Sequence, residues 1–183
     1  MGVNSFCRKV QIDDDLFDQI QHGDKDAFRV LYEESYKPLY AFLVSLTQNS
    51  EDAQDLLQET YITISQRCHL YTKQGNPMAW MMRIAKNLFL MELRKKKVEY
   101  IEDYDQYDFE SKIDLSEISS VENRIVVEQL FKILSAEEQT IVIMHVEGGL
   151  KYKEIADVLE KPLGTVLAKY NRAIGKMRKA LKE

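Results

Sequence analysis

The segment Asn76–Lys97, NPMAWMMRIAKNLFLMELRKKK, narrows the choice of fold more than any other part of the chain. Asn76 can accept hydrogen bonds from the free N–H groups of a first helical turn, and Pro77 suits the first helical position. Apolar residues then recur at helical spacing: Trp80, Ile84, Leu88 and Met91 form one stripe, which Met81, Ala85 and Leu93 widen. The other positions hold Arg83, Lys86, Asn87, Arg94, Lys95, Lys96 and Lys97 against Glu92. This spacing predicts a helix seated on a core and turned toward a polyanion. An ordinary helix with a solvated basic face satisfies the same pattern.

The whole chain is poor in turn formers, with seven Gly and three Pro in 183 residues. That leaves little material for a many-stranded sheet, so the expected class is all-α. No apolar run approaches the roughly 20 residues that a membrane span requires, and membrane insertion is not expected. The first residues, MGVNSFCRKVQIDDD, lack the apolar core of an export signal. Cys7 and Cys68 are isolated thiols without a CxxC pattern, which fits a reducing cytoplasm. His22, His69 and His145 are scattered, so neither a metal-ligand set nor a cofactor site is expected.

The formal net charge of −5 argues at first against a nucleic-acid partner. It averages over segregated blocks, however. Residues 83–97 are basic, residues 99–122 carry Glu99, Glu102, Asp103, Asp105, Asp108, Glu110, Asp114, Glu117 and Glu122, and residues 161–182 are basic again. A phosphate backbone meets such blocks one at a time.

Before the organising helix, a helix from about Asp13 to His22 is expected, then Gly23 as a break and Asp24 as the cap of the next helix. Pro38 is expected to kink or split that helix. Asn49-Ser50 opens another, reaching about Arg67, with Ala53, Leu56, Leu57, Thr60, Tyr61 and Ile64 facing inward. Asp52, Asp55, Gln58 and Glu59 fall on its other side. That ridge reads either as a solvated face or as a docking surface for a basic partner. Cys68–Gly75 is read as a loop containing Tyr71 and Lys73. Residues 98–120 show no sustained helical period and read as a flexible acidic linker.

The C-terminal part begins with an expected helix over about 121–134. Ser135-Ala-Glu-Glu138 has the form of a capping box, and Gly148-Gly149 is the expected stop of the helix it opens. A short helix from Tyr152 to about Glu160 and a last helix, separated by Lys161-Pro162-Leu163-Gly164, read as a helix-turn-helix. The last helix has Val166, Tyr170, Ala173, Ile174, Met177 and Leu181 as its inward stripe. Its outer face carries Thr165, Leu167, Ala168, Lys169, Asn171, Arg172 and Lys176. Asn171 and Arg172 suit base edges, Leu167 and Ala168 a thymine methyl, and Lys169 and Lys176 phosphates.

Three blocks, EDAQDLLQETYITISQR at 51–67, the segment 76–97, and LSAEEQTIVIMHVEGGLKYKEIADVLEKPLGTVLAKYNRAIGKMRKAL at 134–181, together resemble the extracytoplasmic-function sigma factors of bacterial RNA polymerase. The resemblance implies two small helical domains, 1–97 and 121–183, joined by the linker 98–120. It implies core RNA polymerase as partner, through the clamp helices of its largest subunit and its flap, with Asp52, Asp55, Gln58 and Glu59 on the clamp. It implies promoter DNA as the second partner. The helix 76–97 with its preceding loop would read the −10 element and hold the opened strand, through Tyr71, Lys73, Asn76, Arg83, Lys86, Asn87, Arg94 and Lys95. The helix-turn-helix would read the −35 element. The linker would run toward the polymerase's active centre, and an anti-sigma protein is a candidate regulator.

Three positions depart from the family pattern. Met91 stands where Asp is common, Glu160 where the turn often has Gly, and Leu167-Ala168-Lys169 replace a more polar and basic run. A positive φ at position 160 would strain a glutamate. No convergent acid, base and nucleophile set is present, so no enzyme is expected. Two rivals remain open on the residues alone. A dimeric helix-turn-helix repressor or activator would bind duplex DNA tightly without polymerase, and an enzyme with an appended DNA-binding domain would lose activity on chelation.

Overall fold

The computed structural model describes residues 12–73, 75–99 and 132–180. Among these residues every regular element is helical. Helix α1 spans Asp15–Gln21, α2 Lys25–Thr47, α3 Ser50–Arg67 and α4 Pro77–Glu99, with a 3₁₀ turn at Cys68–Leu70. Helix α5 spans Ala136–Val146, α6 Tyr152–Leu159 and α7 Leu163–Ala180. The expected helix over 121–134 and most of the linker 98–120 lie outside the described residues.

Local chemistry accounts for most of these boundaries. Asp24 accepts hydrogen bonds from the Asp26 and Ala27 N–H groups at 2.9 and 3.1 Å and so opens α2. Asn49 does the same for α3, accepting from Glu51 and Asp52 at 2.8 and 3.3 Å. Between them Gln48 adopts φ 54°, and its N–H donates to the Val44 carbonyl to close α2.

Pro38 does not split α2 into separate elements; the helix is continuous from Lys25 to Thr47. The missing N–H and the ring clash cost about 3 kcal/mol in an isolated helix. Here Pro38 itself is buried, and so are Leu31 before it and Leu39 through Ser45 after it. At roughly 1.5–3 kcal/mol per fully buried large apolar side chain, that packing outweighs the defect.

Helices α2, α3 and α4 pack on one another around Leu31, Leu39, Tyr40, Leu43, Leu57 and Ile64. The Tyr61 hydroxyl, which would be costly to bury alone, lies 2.8 Å from Ser35 Oγ. The buried side of α4 differs from the expected stripe. Met78, Met81, Met82 and Ala85 are its buried apolar residues, while Trp80, Ile84 and Leu88 are half-buried and Met91 and Leu93 are exposed. The reason is that α4 touches α2 and α3 on one side and α6 on another. Its first half is buried from two directions, whereas farther along Glu92, Leu93 and Lys96 line an open cleft beside α3.

In the C-terminal module the capping box forms as expected. Ser135 Oγ accepts from the Glu138 N–H at 3.3 Å, and Glu138 Oε2 accepts from the Ser135 N–H at 2.9 Å. Helix α5 ends at the glycine pair, where Gly149 takes φ 66°. Gly148 is needed for space: a Cβ there would lie 2.7 Å from the Met144 carbonyl oxygen and 2.8 Å from Met82 Cε.

Met82 belongs to α4, and this contact is one of several that join the two modules. Helix α5 lies on α2 and α6 lies on α4. Ile141, Met144, Leu150, Ile155, Val158 and Val166 share one continuous apolar cluster with the α2–α4 core. Ser45 Oγ meets Thr140 Oγ1 at 3.0 Å, and Gln48 Nε2 donates to Gln139 Oε1 at 3.1 Å. A sequence read as two domains on a linker therefore folds here with the two modules sharing a core.

Candidate nucleic-acid and polymerase interfaces

Helix α4 exists where it does because Asn76 caps it, accepting from the Met78 and Ala79 N–H groups at 3.0 and 3.4 Å. Beyond the cap, Arg83, Asn87, Arg94 and Lys95 stand exposed along one cationic and amide face. Lys86, expected on that face, is not available there. It is 8% exposed, and its Nζ donates to the Val158 carbonyl at 2.9 Å and to Glu160 Oε1 at 2.7 Å. The same ammonium holds the Glu160 carboxyl below the usual range.

The candidates from the preceding loop are also engaged. Tyr71 stacks on Phe17 at 4.2 Å and meets Trp80 edge-on at 5.5 Å. Its hydroxyl lies 2.6 Å from Asp14 Oδ1, and burial together with that carboxylate pushes its phenol pKa up. Lys73 bridges Asp15 and Asp18 at 2.5 and 2.8 Å, and these contacts raise its pKa. Asn76 spends its Nδ2 on Glu154 Oε2 at 3.1 Å. In this arrangement Tyr71, Lys73 and Asn76 fasten the loop to α1 and α6.

The acidic ridge of α3 divides. Asp52, Asp55 and Glu59 line a cleft of about 460 Å³ between α3 and α4, together with Leu46, Phe89, Glu92, Leu93 and Lys96. Lys96 Nζ approaches Asp52 Oδ2 at 3.4 Å, whereas Asp55 and Glu59 are exposed. Gln58 lines a different groove, beside Phe28, Tyr32, Tyr36, Tyr61 and Ile62. Glu92 and the exposed Leu93 add charge and apolar surface to the first cleft, and neither was among the residues expected there. Helical spacing does not separate them: position 58 is i+3 from 55, as 55 is from 52, so the four form one broad face whose edges meet different grooves.

On α7, Leu167, Ala168, Asn171 and Arg172 are exposed, and Thr165 is half-buried. The two lysines expected on phosphates are drawn back onto α5. Lys169 pairs with Glu137, which also holds Lys161 at 2.5 Å. Lys176 Nζ lies 2.6 Å from Glu138 Oε2. The lysine hydrogen bonds keep the Glu137 carboxyl below its usual range. Burial pushes Glu138 the other way, but the bonds from Lys176 and Ser135 prevail and its pKa is lowered as well. Glu160 closes α6 with φ 55° and ψ 44°, the left-handed conformation for which glycine is favoured.

These faces have counterparts in known proteins. Residues 31–99 match the model of sigma-70 region 2, and residues 124–177 match that of sigma-70 region 4. The sigma-E factor of Escherichia coli K12 is 30% identical over 169 residues, covering 86% of this chain and 88% of that one. The sigma factor SigW of Bacillus subtilis is 25% identical over 176 residues, covering 90% and 94%. In fold, the chain is similar to the sigma factor RpoE of Bartonella quintana, solved with the anti-sigma factor NepR: TM-score 0.69, 23% identity, 87% of this chain and 98% of that one. CnrH, solved with the cytosolic domain of CnrY, gives TM-score 0.61 at 18% identity, over 94% and 98%. Among the described residues no helix is long and apolar enough to cross a membrane. The chain belongs to the extracytoplasmic-function sigma factors, which recognise promoters for RNA polymerase and are transcription initiation factors rather than enzymes.

Proposed function

We propose a division of labour among the faces just described, with the chain working in the cytoplasm on the core polymerase. Asp55 and Glu59, with Asp52 and Glu92 at the edges of the same cleft, dock on the basic clamp helices of the largest subunit, and Gln58 contacts the clamp from the adjoining groove. Arg83, Asn87, Arg94 and Lys95 follow the −10 element and the opened strand. Cations along the backbone and an amide beside unstacked bases are what single-strand capture requires. Asn171 and Arg172, flanked by Thr165, Leu167 and Ala168, read the −35 element in the major groove. Lys169 and Lys176 hold α7 on α5 and so set its angle of approach. The division into 1–97, 98–120 and 121–183, with the last module on the flap and the acidic linker near the active centre, belongs to the same reading.

The observation that carries it is the sorting of exposed charge on two neighbouring helices. The outer side of α3 is acidic, and that of α4 is cationic with one amide, Asn87. One surface therefore attracts a basic protein and the other a polyanion. The anti-sigma complexes of the similar structures support a protein regulator of this chain too.

Run-off transcription with purified core polymerase on a genomic fragment library tests the reading. Discrete new start sites that depend on this protein are expected, and aligning them yields both promoter elements. Absence of initiation, with tight binding of duplex DNA by the protein alone, would favour a repressor or activator.

A further inference from the structure

Helix α6 is gripped at both ends by α4. At its start, Asn76 Nδ2 reaches Glu154 Oε2, the carboxylate oxygen that also accepts the Lys151 N–H at 2.7 Å. At its end, Lys86 Nζ donates to the Val158 carbonyl and to Glu160. Between the two grips, Met82 closes on Gly148. A cation at a helix C-terminus is favourable because the last carbonyls lack intrahelical partners. Here that cation comes from another module.

Glu160 is the less expected half of the pair. A glutamate costs more than a glycine in the left-handed conformation that this turn adopts. Its side chain is 77% exposed, so burial of its own surface does not compensate. What it gains is Lys86. A residue held in an unfavourable conformation at a contact between modules points to a role for that contact. Lys86 and Asn76, meanwhile, lie on the segment proposed to read the −10 element, and the polar ends of both are engaged by α6 and its cap.

We propose that the Lys86–Glu160 pair is a latch that keeps the free protein closed. In this state α6 of the −35 module occupies Lys86 and Asn76 of the −10 module, and promoter DNA is the competitor that takes Lys86 from Glu160. The latch rests on the promoter-reading role of α4. Its thermodynamics are those of a two-state equilibrium. DNA and polymerase bind the open state, so their apparent affinity is reduced by the fraction of chain that is closed. Whatever weakens the latch without touching the DNA-facing residues raises that affinity.

The full-length Glu160→Gly variant tests this, because it removes the carboxylate and relieves the backbone at once, so its fold is not at risk. Two readouts are taken: amide hydrogen exchange of α6 and α4 in the free protein, and the concentration of protein giving half-maximal run-off transcription with core polymerase. The expected results are faster exchange confined to the α4–α6 contact and a half-maximal concentration lowered by about two- to fivefold, the scale of an ion pair with one exposed partner. Glu160→Gln, which keeps the strain and loses the charge, is expected to shift both readouts in the same direction. Unchanged exchange in both variants overturns the latch, and so does faster exchange with an unchanged or raised half-maximal concentration. If the wild-type protein supports no initiation at all, the promoter reading fails, while the exchange measurement still decides whether the pair holds the modules together.

Discussion

Lys176 Nζ lies 2.6 Å from Glu138 Oε2, and that same carboxylate oxygen closes the capping box of α5 by accepting the Ser135 N–H. The last helix is thus tied to the first turn of α5 through a carboxylate whose side chain is 3% exposed. Removing the lysine leaves a buried charge with only Ser135 as its partner. Lys176→Ala is expected to destabilise the protein by about 1–3 kcal/mol, the cost of stripping a partner from a buried polar group. A phosphate contact would behave differently, lowering the salt dependence of promoter binding by about one ion. Denaturant unfolding and a salt titration of DNA binding separate the two; the expected outcome is lost stability with an unchanged salt slope.

The lowered pKa values of Glu137, Glu138 and Glu160 set an acid limit on stability. Each carboxylate is held below its ordinary value of 4.5, Glu137 and Glu160 first of all by lysine hydrogen bonds, and Glu138 by bonds that overcome its burial. A depressed folded-state pKa contributes stability that is complete above the unfolded value and is lost as pH falls through the folded one. Unfolding midpoints are therefore expected to hold down to about pH 5 and to fall below about pH 4.5. Glu138→Gln should flatten part of that fall. An equally steep fall in the variant would remove Glu138 from the account.

Asp55 and Glu59 project from α3 into the cleft beside α4, and both are exposed. Reversing both, Asp55→Lys with Glu59→Lys, is expected to leave the helical signal and unfolding midpoint within about 0.5 kcal/mol of wild type, as for ordinary surface changes. Binding to core polymerase should weaken by about tenfold or more if the clamp lies there. Competition for core polymerase against the wild-type protein measures this. Unchanged competition would move the clamp contact elsewhere.

What could be read ahead of the structure divides by range. The caps at Asp24, Asn49 and Ser135 follow from residues two or three apart, and all form. Lys86 could not be read in that way. Its outward place on the helix is correct, but the outward side is where α6 lies, and that depends on contacts 72 and 74 residues away. Pro38 does not end its helix for a similar reason, since burial on both sides overrides the local defect. Met91 and Leu93 have the right spacing for a core, but the rest of the core ends before it reaches them. Gln58 stands at the edge of the face that carries Asp52, Asp55 and Glu59, and which groove each lines is set by the helices packed around α3 rather than by spacing.

Two glycines are expected to respond with opposite signs. Gly148→Ala places a methyl 2.7 Å from a backbone oxygen and 2.8 Å from Met82 across the module contact. Overpacking of this kind costs about 1–3 kcal/mol. Gly164 lies in the first turn of α7, and a methyl added to its backbone would meet nothing within 4 Å. Gly164→Ala is expected to stabilise by about 0.4–1 kcal/mol through reduced unfolded-state entropy. Urea denaturation of both variants checks the pair, and stabilisation by Gly148→Ala would mean that the contact with Met82 yields readily.

Arg172 provides the sharpest test of the recognition helix. It is exposed on α7 next to Asn171, on a face from which Lys169 and Lys176 are drawn back to Glu137 and Glu138. On the proposed −35 role the burden of sequence reading would fall on a few side chains, and a guanidinium can meet guanine O6 and N7 with two hydrogen bonds. Arg172→Ala is expected to cost about 1–3 kcal/mol on the −35 element and to relax the preference at one base pair, with little loss on unrelated DNA. Lys169→Ala should instead act on stability, since its half-buried partner Glu137 keeps only Lys161. Binding of the polymerase holoenzyme to a promoter set varied one base pair at a time distinguishes the roles. A uniform loss across all sequences for Arg172→Ala would make it a phosphate contact and leave base reading to Asn171 and its apolar neighbours.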